Sequence, residues 1–159
     1  MEHSFLSQDH IIELLNQIIT FTRLRRILLN DNLTQMDRKG FIPQDLPVRD
    51  FSCIMESALC DHIQHQRLIF RDTKTIRFGC NGQLNLEKVA DEQAQRLLKT
   101  SPEQYQLYIH KKISENDLNE EVAMKLRSGH RSYCQTGSPV DQIPSPKRMG
   151  SLHRRIPTS

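Results

Sequence analysis

One short segment, Cys60-x-His62-x-x-His65, groups side chains that could bind a metal or act as nucleophiles. Cysteine and histidine are the usual zinc ligands, but a structural zinc site needs four ligands, so a remote residue would have to join this segment. On a helix His62 and His65 would be neighbours, whereas Cys60 and His62 would not face each other as a thiol and its base. We interpret the segment as a polar helix face with one semi-buried thiol and predict no metal site.

Other catalytic patterns are missing from the sequence. The cysteines, Cys53, Cys60, Cys80 and Cys134, form no Cys-x-x-Cys pair, and four are too few for a disulfide framework in 159 residues. No glycine-rich phosphate loop, Gly-x-Ser-x-Gly elbow or His-Glu-x-x-His motif occurs. The sequence therefore predicts a protein that is not an enzyme, has no catalytic residue and takes no cofactor.

An apolar pattern with helical spacing runs from residue 9 to residue 30. Its members are Ile11, Leu14, Leu15, Ile18, Ile19, Phe21, Leu24, Leu28 and Leu29. A stripe this broad is typical of a helix packed against more than one neighbour, and Ser7 or Asp9 would cap its start. The pattern fits both an ordinary core helix and an assembly helix that contacts other subunits.

Turn-forming residues dominate 31–50, and a second helix is predicted over 50–70 with Asp50 as its cap. Two short extended pieces are predicted within 72–85, on either side of the Gly79–Gly82 turn.

The C-terminal helical region is predicted over 86–128 and begins with an amphipathic piece that includes Leu86, Val89 and Ala90. It divides near Ser101, because Ser101-Pro102-Glu103-Gln104 offers an N-cap, a proline at the first helical position and a capping-box glutamine. A second helix then continues to Arg127.

These elements predict a mainly α fold. N- and C-terminal amphipathic helices would pair in a coiled-coil-like manner around a short irregular or β middle region. The expected folded unit is 1–128, divided into an N-terminal helix 1–31, a turn and middle region 32–85, and the C-terminal helical region 86–128.

Charge is distributed unevenly along the chain. The formal net charge is +3, but residues 129–159 alone hold five basic residues and one acidic residue. The same segment holds four of the seven prolines and few large apolar residues, so we predict a disordered basic tail. No apolar run reaches the roughly 20 residues of a membrane span, and the first residues do not look like a cleaved signal peptide.

Residues 25–41 read Arg-Arg-Ile-Leu-Leu-Asn-Asp-Asn-Leu-Thr-Gln-Met-Asp-Arg-Lys-Gly-Phe. This segment resembles the N-terminal signature of flagellar rod and hook proteins, in which a helix ends in Leu-x-x-Asn-Ile-Ala-Asn before Asp-Thr-Pro-Gly and an aromatic residue. The residues in register with the signature are Arg25, Leu29, Asn32, Leu33, Asp37, Gly40 and Phe41. Asp45–Phe51 and the Gly82–Glu87 turn are similar to the proximal-rod subtype, and the resemblance covers residues 5–128.

The sequence also departs from the family pattern. Thr34-Gln35 stands where the family has Ala-Asn, and Arg38-Lys39 stands where it has Thr-Pro. Pro102 interrupts the long C-terminal helix that the family leads us to expect, and the 129–159 tail is extra.

The resemblance implies a structural subunit of the bacterial flagellar basal-body rod, which assembles helically in the proximal rod and transmits torque for motility. Its partners would be copies of itself, other rod and basal-body proteins, and the flagellar type III export apparatus. That apparatus would deliver it to the periplasmic rod without a cleaved signal peptide. Ile11, Leu15 and Ile18 would belong to the assembly stripe. The turn that follows the first helix would be shaped by Asn32, Asp37, Gly40 and Phe41.

A small cytosolic helical interaction module is the alternative, with the basic tail binding an acidic partner or nucleic acid. Ser145-Pro146-Lys147-Arg148 is a short basic run without interleaved aromatic residues, so a solubilising tail is the favoured interpretation and nucleic acid is not an expected partner. Binding to duplex DNA that weakens steeply with salt would support the alternative.

Overall fold

The computed structural model describes residues 3–135 and the side chains of residues 9–132. That part of the chain contains four helices and four short strands. The helices are α1 (His3–Thr34), α2 (Val48–His65), α3 (Glu92–Thr100) and α4 (Pro102–Gln135). The strands are β1 (Gln44–Asp45), β2 (Ile76–Phe78), β3 (Leu84–Leu86) and β4 (Val89–Ala90).

The two long helices, α1 and α4, pack against each other in opposite directions. Near one end of the pair Arg127 donates a hydrogen bond to Asn16 over 2.8 Å, and at the other end the Tyr105 hydroxyl donates to the Asn32 carbonyl over 2.9 Å. The predicted pairing of N- and C-terminal helices in a mainly α fold is thereby confirmed.

The broad apolar stripe of α1 packs against two neighbouring helices, as its width predicted. Leu14, Phe21 and Leu28, spaced one heptad apart, pack into one cluster with residues of α2, and Phe21 stacks on Phe51 with ring centroids 3.9 Å apart. A second face of α1 packs against α4 through two further clusters. Their buried members are Leu15, Ile19 and Ala123 in one, and Leu29, Ala94, Tyr105 and Ile109 in the other.

The strands form two separate antiparallel pairs. β1 pairs with β4, and β2 pairs with β3 so that Ile76 lies opposite Leu86. A 3-10 turn at Cys80–Gly82 joins β2 to β3, as the glycine turn predicted. Ile76 is fully buried in the α1–α2 cluster, so this small hairpin gains its stability from packing on helices.

Several predicted boundaries were wrong at the first two helices. α1 begins before Ser7 and Asp9, which lie inside it, and it continues past Asp31 to Thr34 because Asn32 directs its side chain to β1 without breaking the helix. α2 begins at Val48 and ends at His65, five residues before the predicted end, because Gln66 adopts a left-handed conformation with φ of 54°.

The C-terminal boundaries also need correction. Val89 and Ala90 belong to β4, and α3 begins only after Asp91, whose carboxylate caps the Ala94 amide at 3.0 Å. Pro102 starts the long helix α4, where its missing N–H costs nothing, so it does not interrupt that helix. α4 runs through Gly129 to Gln135, so the predicted tail begins too early, and its predicted disorder over 136–159 lies outside the described residues.

Alanine substitutions at two glycines are expected to have opposite effects on stability. Gly40 has φ of +75°, so Gly40→Ala should lower the free energy of unfolding by about 1 kcal/mol. Gly129 lies within α4 with no atom near its missing Cβ, so Gly129→Ala should raise helix stability by about 0.5–1 kcal/mol. Urea denaturation followed by circular dichroism tests both, and a loss of stability in Gly129→Ala would contradict the helical assignment there.

Candidate assembly site

The residues that resemble the rod signature gather where α1 ends and β1 begins. Leu29 is fully buried in the cluster with Tyr105 and Ile109, and Asn32 is 2% exposed. Leu33 packs partly buried against the same cluster. Asp37 and Gly40 are exposed in the following turn, and Phe41 is half-buried.

Asn32 fastens the backbone of β1 to α1. Its amide group donates to the Gln44 carbonyl over 2.6 Å and accepts from the Gln44 N–H over 3.2 Å. The Tyr105 hydroxyl bonds the Asn32 carbonyl, and burial together with the charge of Asp91 raises the pKa of Tyr105 to about 12. Asn32 therefore joins three elements, β1, α1 and α4, at one buried point.

We expect Asn32→Ala to lower the free energy of unfolding by about 2 kcal/mol, because it leaves the Gln44 N–H and carbonyl without these partners. Asn30→Ala is the matched control, since Asn30 is exposed on the same helix. Chemical denaturation of both variants measures the difference. Equal stabilities for the two would show that the Asn32 contacts contribute nothing.

Four charged residues form a polar joint beside Asn32: Arg25, Asp45, Asp91 and Lys112. Arg25 holds both carboxylate oxygens of Asp45, at 2.8 and 2.9 Å. Lys112 bridges Asp45 at 2.8 Å and Asp91 at 2.6 Å. Each charged group therefore has an opposite charge within hydrogen-bond distance, and the joint connects α1, β1, the start of α3 and α4.

Burial and charge oppose each other in setting the ionisation of this joint. Burial raises the pKa of Asp45, but hydrogen bonds and charge from Arg25 and then Lys112 outweigh it and hold that pKa below its ordinary value. Burial likewise lowers the pKa of Lys112, but the hydrogen bonds that it donates to Asp45 and Asp91 raise that pKa overall. These shifts hold Asp45 and Lys112 in their charged forms near neutral pH, so the joint serves as a structural clamp.

Because the folded-state pKa of Asp45 is depressed, its stabilising contribution exists above the unfolded-state pKa and is lost as pH falls toward the folded value. The free energy of unfolding should therefore drop as the pH falls below about 5. Asp45→Asn should show a shallower drop over that range. An identical pH dependence in the wild type and Asp45→Asn would contradict this role.

Further polar contacts hold the middle of the α1–α4 pair. Asn116, 1% exposed, donates to the Thr22 carbonyl over 2.7 Å. Glu120 accepts from Arg23 at 2.8 Å and also pairs with Arg26. These contacts fix the relative position of the two helices, so the pairing does not depend on apolar packing alone.

An apolar groove of about 490 Å³ remains open between α1, α2 and α4. Its floor includes Leu15 and Ile18, and its rim on α4 carries a stripe four residues apart: Leu118, Val122 and Leu126. Leu118 is 59% exposed and Leu126 58%. Ile11, the third predicted stripe residue, packs against the neighbouring cluster around Ala123.

The Cys60–His65 segment differs from its predicted form. Cys60 is exposed, so it is not the semi-buried thiol that we predicted, and His65 is exposed as well. His62 is the buried member at 7% exposure, because it faces α1. The three side chains therefore do not converge on one point.

The sequence identified only some of the residues in this site. Arg25, Leu29 and Asn32 were identified through the signature, whereas Asp45, Asp91 and Lys112 were missed as a set.

Within residues 3–135, none of the helices has the length and apolar content that a membrane crossing requires. Comparison with protein-family models, with curated proteins and with solved structures found no match for this chain.

Proposed function

We propose that the chain is a structural subunit of the bacterial flagellar basal-body rod, which assembles helically with copies of itself and other rod proteins. The observation that carries the proposal is the location of the signature residues. Leu29 and Asn32 are buried, and Arg25 is partly buried, where α1 meets β1 and α4. A motif used in this way builds a stiff subunit and offers no open catalytic group to a substrate.

The apolar groove supports assembly through a contact between different surfaces of neighbouring subunits. A helix face from the next subunit would cover Leu118, Val122 and Leu126, which the fold leaves exposed. A repeated contact between unlike surfaces that does not close into a ring generates a helical filament. In this proposal the antiparallel α1–α4 pair is the unit that stacks along the rod and carries torque.

Export by the flagellar type III apparatus and location in the periplasmic rod belong to the same proposal. Subunits exported by that apparatus would arrive partly unfolded and complete their packing on the growing rod. The polar joint would then lock α4 onto α1 within each added subunit.

Deletion of the gene in the organism that encodes it tests the proposal. We expect non-motile cells whose basal bodies, seen by electron microscopy, lack a complete rod, and we expect the full-length chain supplied in trans to restore both. Normal swimming with intact basal bodies after deletion would overturn the proposed function.

A further inference from the structure

Two histidines from different helices meet between the first half of α1 and the last turn of α2. The Nδ1 atoms of His10 and His62 lie 3.3 Å apart, and the rings cross at 80° with centroids 5.4 Å apart. His62 is 7% exposed and His10 is half-buried. In the sequence, a metal site at the segment around His62 would have needed a ligand from a remote residue. The fold brings His10 next to His62.

The separation of the two nitrogens matches a shared metal ion. Ligands about 2.0–2.1 Å from a tetrahedral zinc are about 3.3–3.4 Å from each other. Without a metal the same pair makes a hydrogen bond, in which one Nδ1 carries the proton and the other accepts it, and a bound metal ion would take the place of that proton. Neutral imidazole is a good ligand for Zn²⁺, Ni²⁺ and Cu²⁺.

We propose that His10 and His62 form a two-histidine site for a divalent transition metal of the Zn²⁺ class, which clips α1 to α2. Within the described residues no group of three His, Cys, Asp or Glu side chains is arranged around one metal position, so the proposed site has two ligands from this part of the chain. A site with two protein ligands binds weakly and exchanges readily. Metal binding stabilises the folded state because the unfolded chain does not hold the two imidazoles together.

Titration of the full-length protein with ZnCl₂ tests the site, with histidine-ring NMR signals and isothermal calorimetry as readouts. We expect the His10 and His62 ring signals to shift together and saturate. His10→Asn should bind one zinc fewer per chain, or bind it at least about tenfold more weakly, and the His62 ring should no longer respond. His10 is the preferred variant because its side chain is less buried than that of His62.

His65→Asn is the matched control, since His65 is exposed one turn further along α2. It should keep wild-type zinc affinity and the zinc-dependent rise in melting temperature, both of which His10→Asn should lose. Unchanged affinity in His10→Asn, or loss of binding in His65→Asn, would overturn the site. The inference does not depend on the rod function, because each measurement uses the isolated protein.

Discussion

Lys112→Met is expected to lower the free energy of unfolding by about 3 kcal/mol, the largest stability loss among the single substitutions considered for this fold. The ammonium group of Lys112 is the bridge between Asp45 and Asp91, at 2.8 and 2.6 Å. Methionine keeps most of the side-chain volume, so the loss in free energy of unfolding measures the effect of removing the charge. Removing the cation leaves Asp91 buried without its lysine and leaves Asp45 with Arg25 alone.

Lys111→Met provides the control at the adjacent position. Lys111 is 76% exposed and lies 3.9 Å from Glu115, an arrangement that contributes little in water. The free energy of unfolding of the Lys111→Met variant should stay within about 0.5 kcal/mol of the wild-type value. Urea denaturation at neutral pH compares the two variants. Similar losses in both, or no loss in Lys112→Met, would show that the polar joint does not stabilise the fold.

Leu118→Glu is expected to abolish assembly while leaving the subunit folded. Leu118 is 59% exposed on the rim of the apolar groove, so a charge there disturbs little inside the monomer. In an assembled rod the same charge would be buried in the contact with the next subunit, where it has no partner. The variant should fail to restore basal bodies in a deletion strain and should give a circular dichroism spectrum like that of the wild type.

Ile27→Glu distinguishes this specific contact from a general effect of surface charge. Ile27 is 61% exposed on α1, nine residues after Ile18 and therefore on the opposite side of that helix from the groove. We expect it to restore motility and basal bodies. Restoration by Leu118→Glu to the wild-type level would contradict the groove as the assembly surface.

The fold was predictable from the sequence wherever one face of an element is apolar. The stripe of α1 indicated a helix with more than one neighbour, and Leu14 and Leu15 do pack into different clusters. Ser101-Pro102 marked the start of α4 through local capping chemistry. Ser101 Oγ accepts a hydrogen bond from the backbone N–H of Gln104 at 3.4 Å. The prediction that the tail begins at Gly129 was wrong. One glycine costs a helix only about 1 kcal/mol, so it does not end α4.

The polar joint could not be predicted, because its members are distant in sequence and ordinary in type. Asp45 and Lys112 are 67 residues apart, and each alone resembles a solvated surface charge. The pairing of His10 with His62 is similarly invisible, since the two belong to different helices. Such contacts depend on the way in which α1, α2 and α4 pack, which periodicity does not specify.

The most direct test of the central claim is whether this chain is a component of isolated flagellar basal bodies. Basal bodies purified from the encoding organism would be analysed by mass spectrometry and labelled with antibodies against the chain in electron micrographs. We predict that the chain is present in multiple copies and that the label lies on the rod. Intact basal bodies that contain none of this chain would contradict the account.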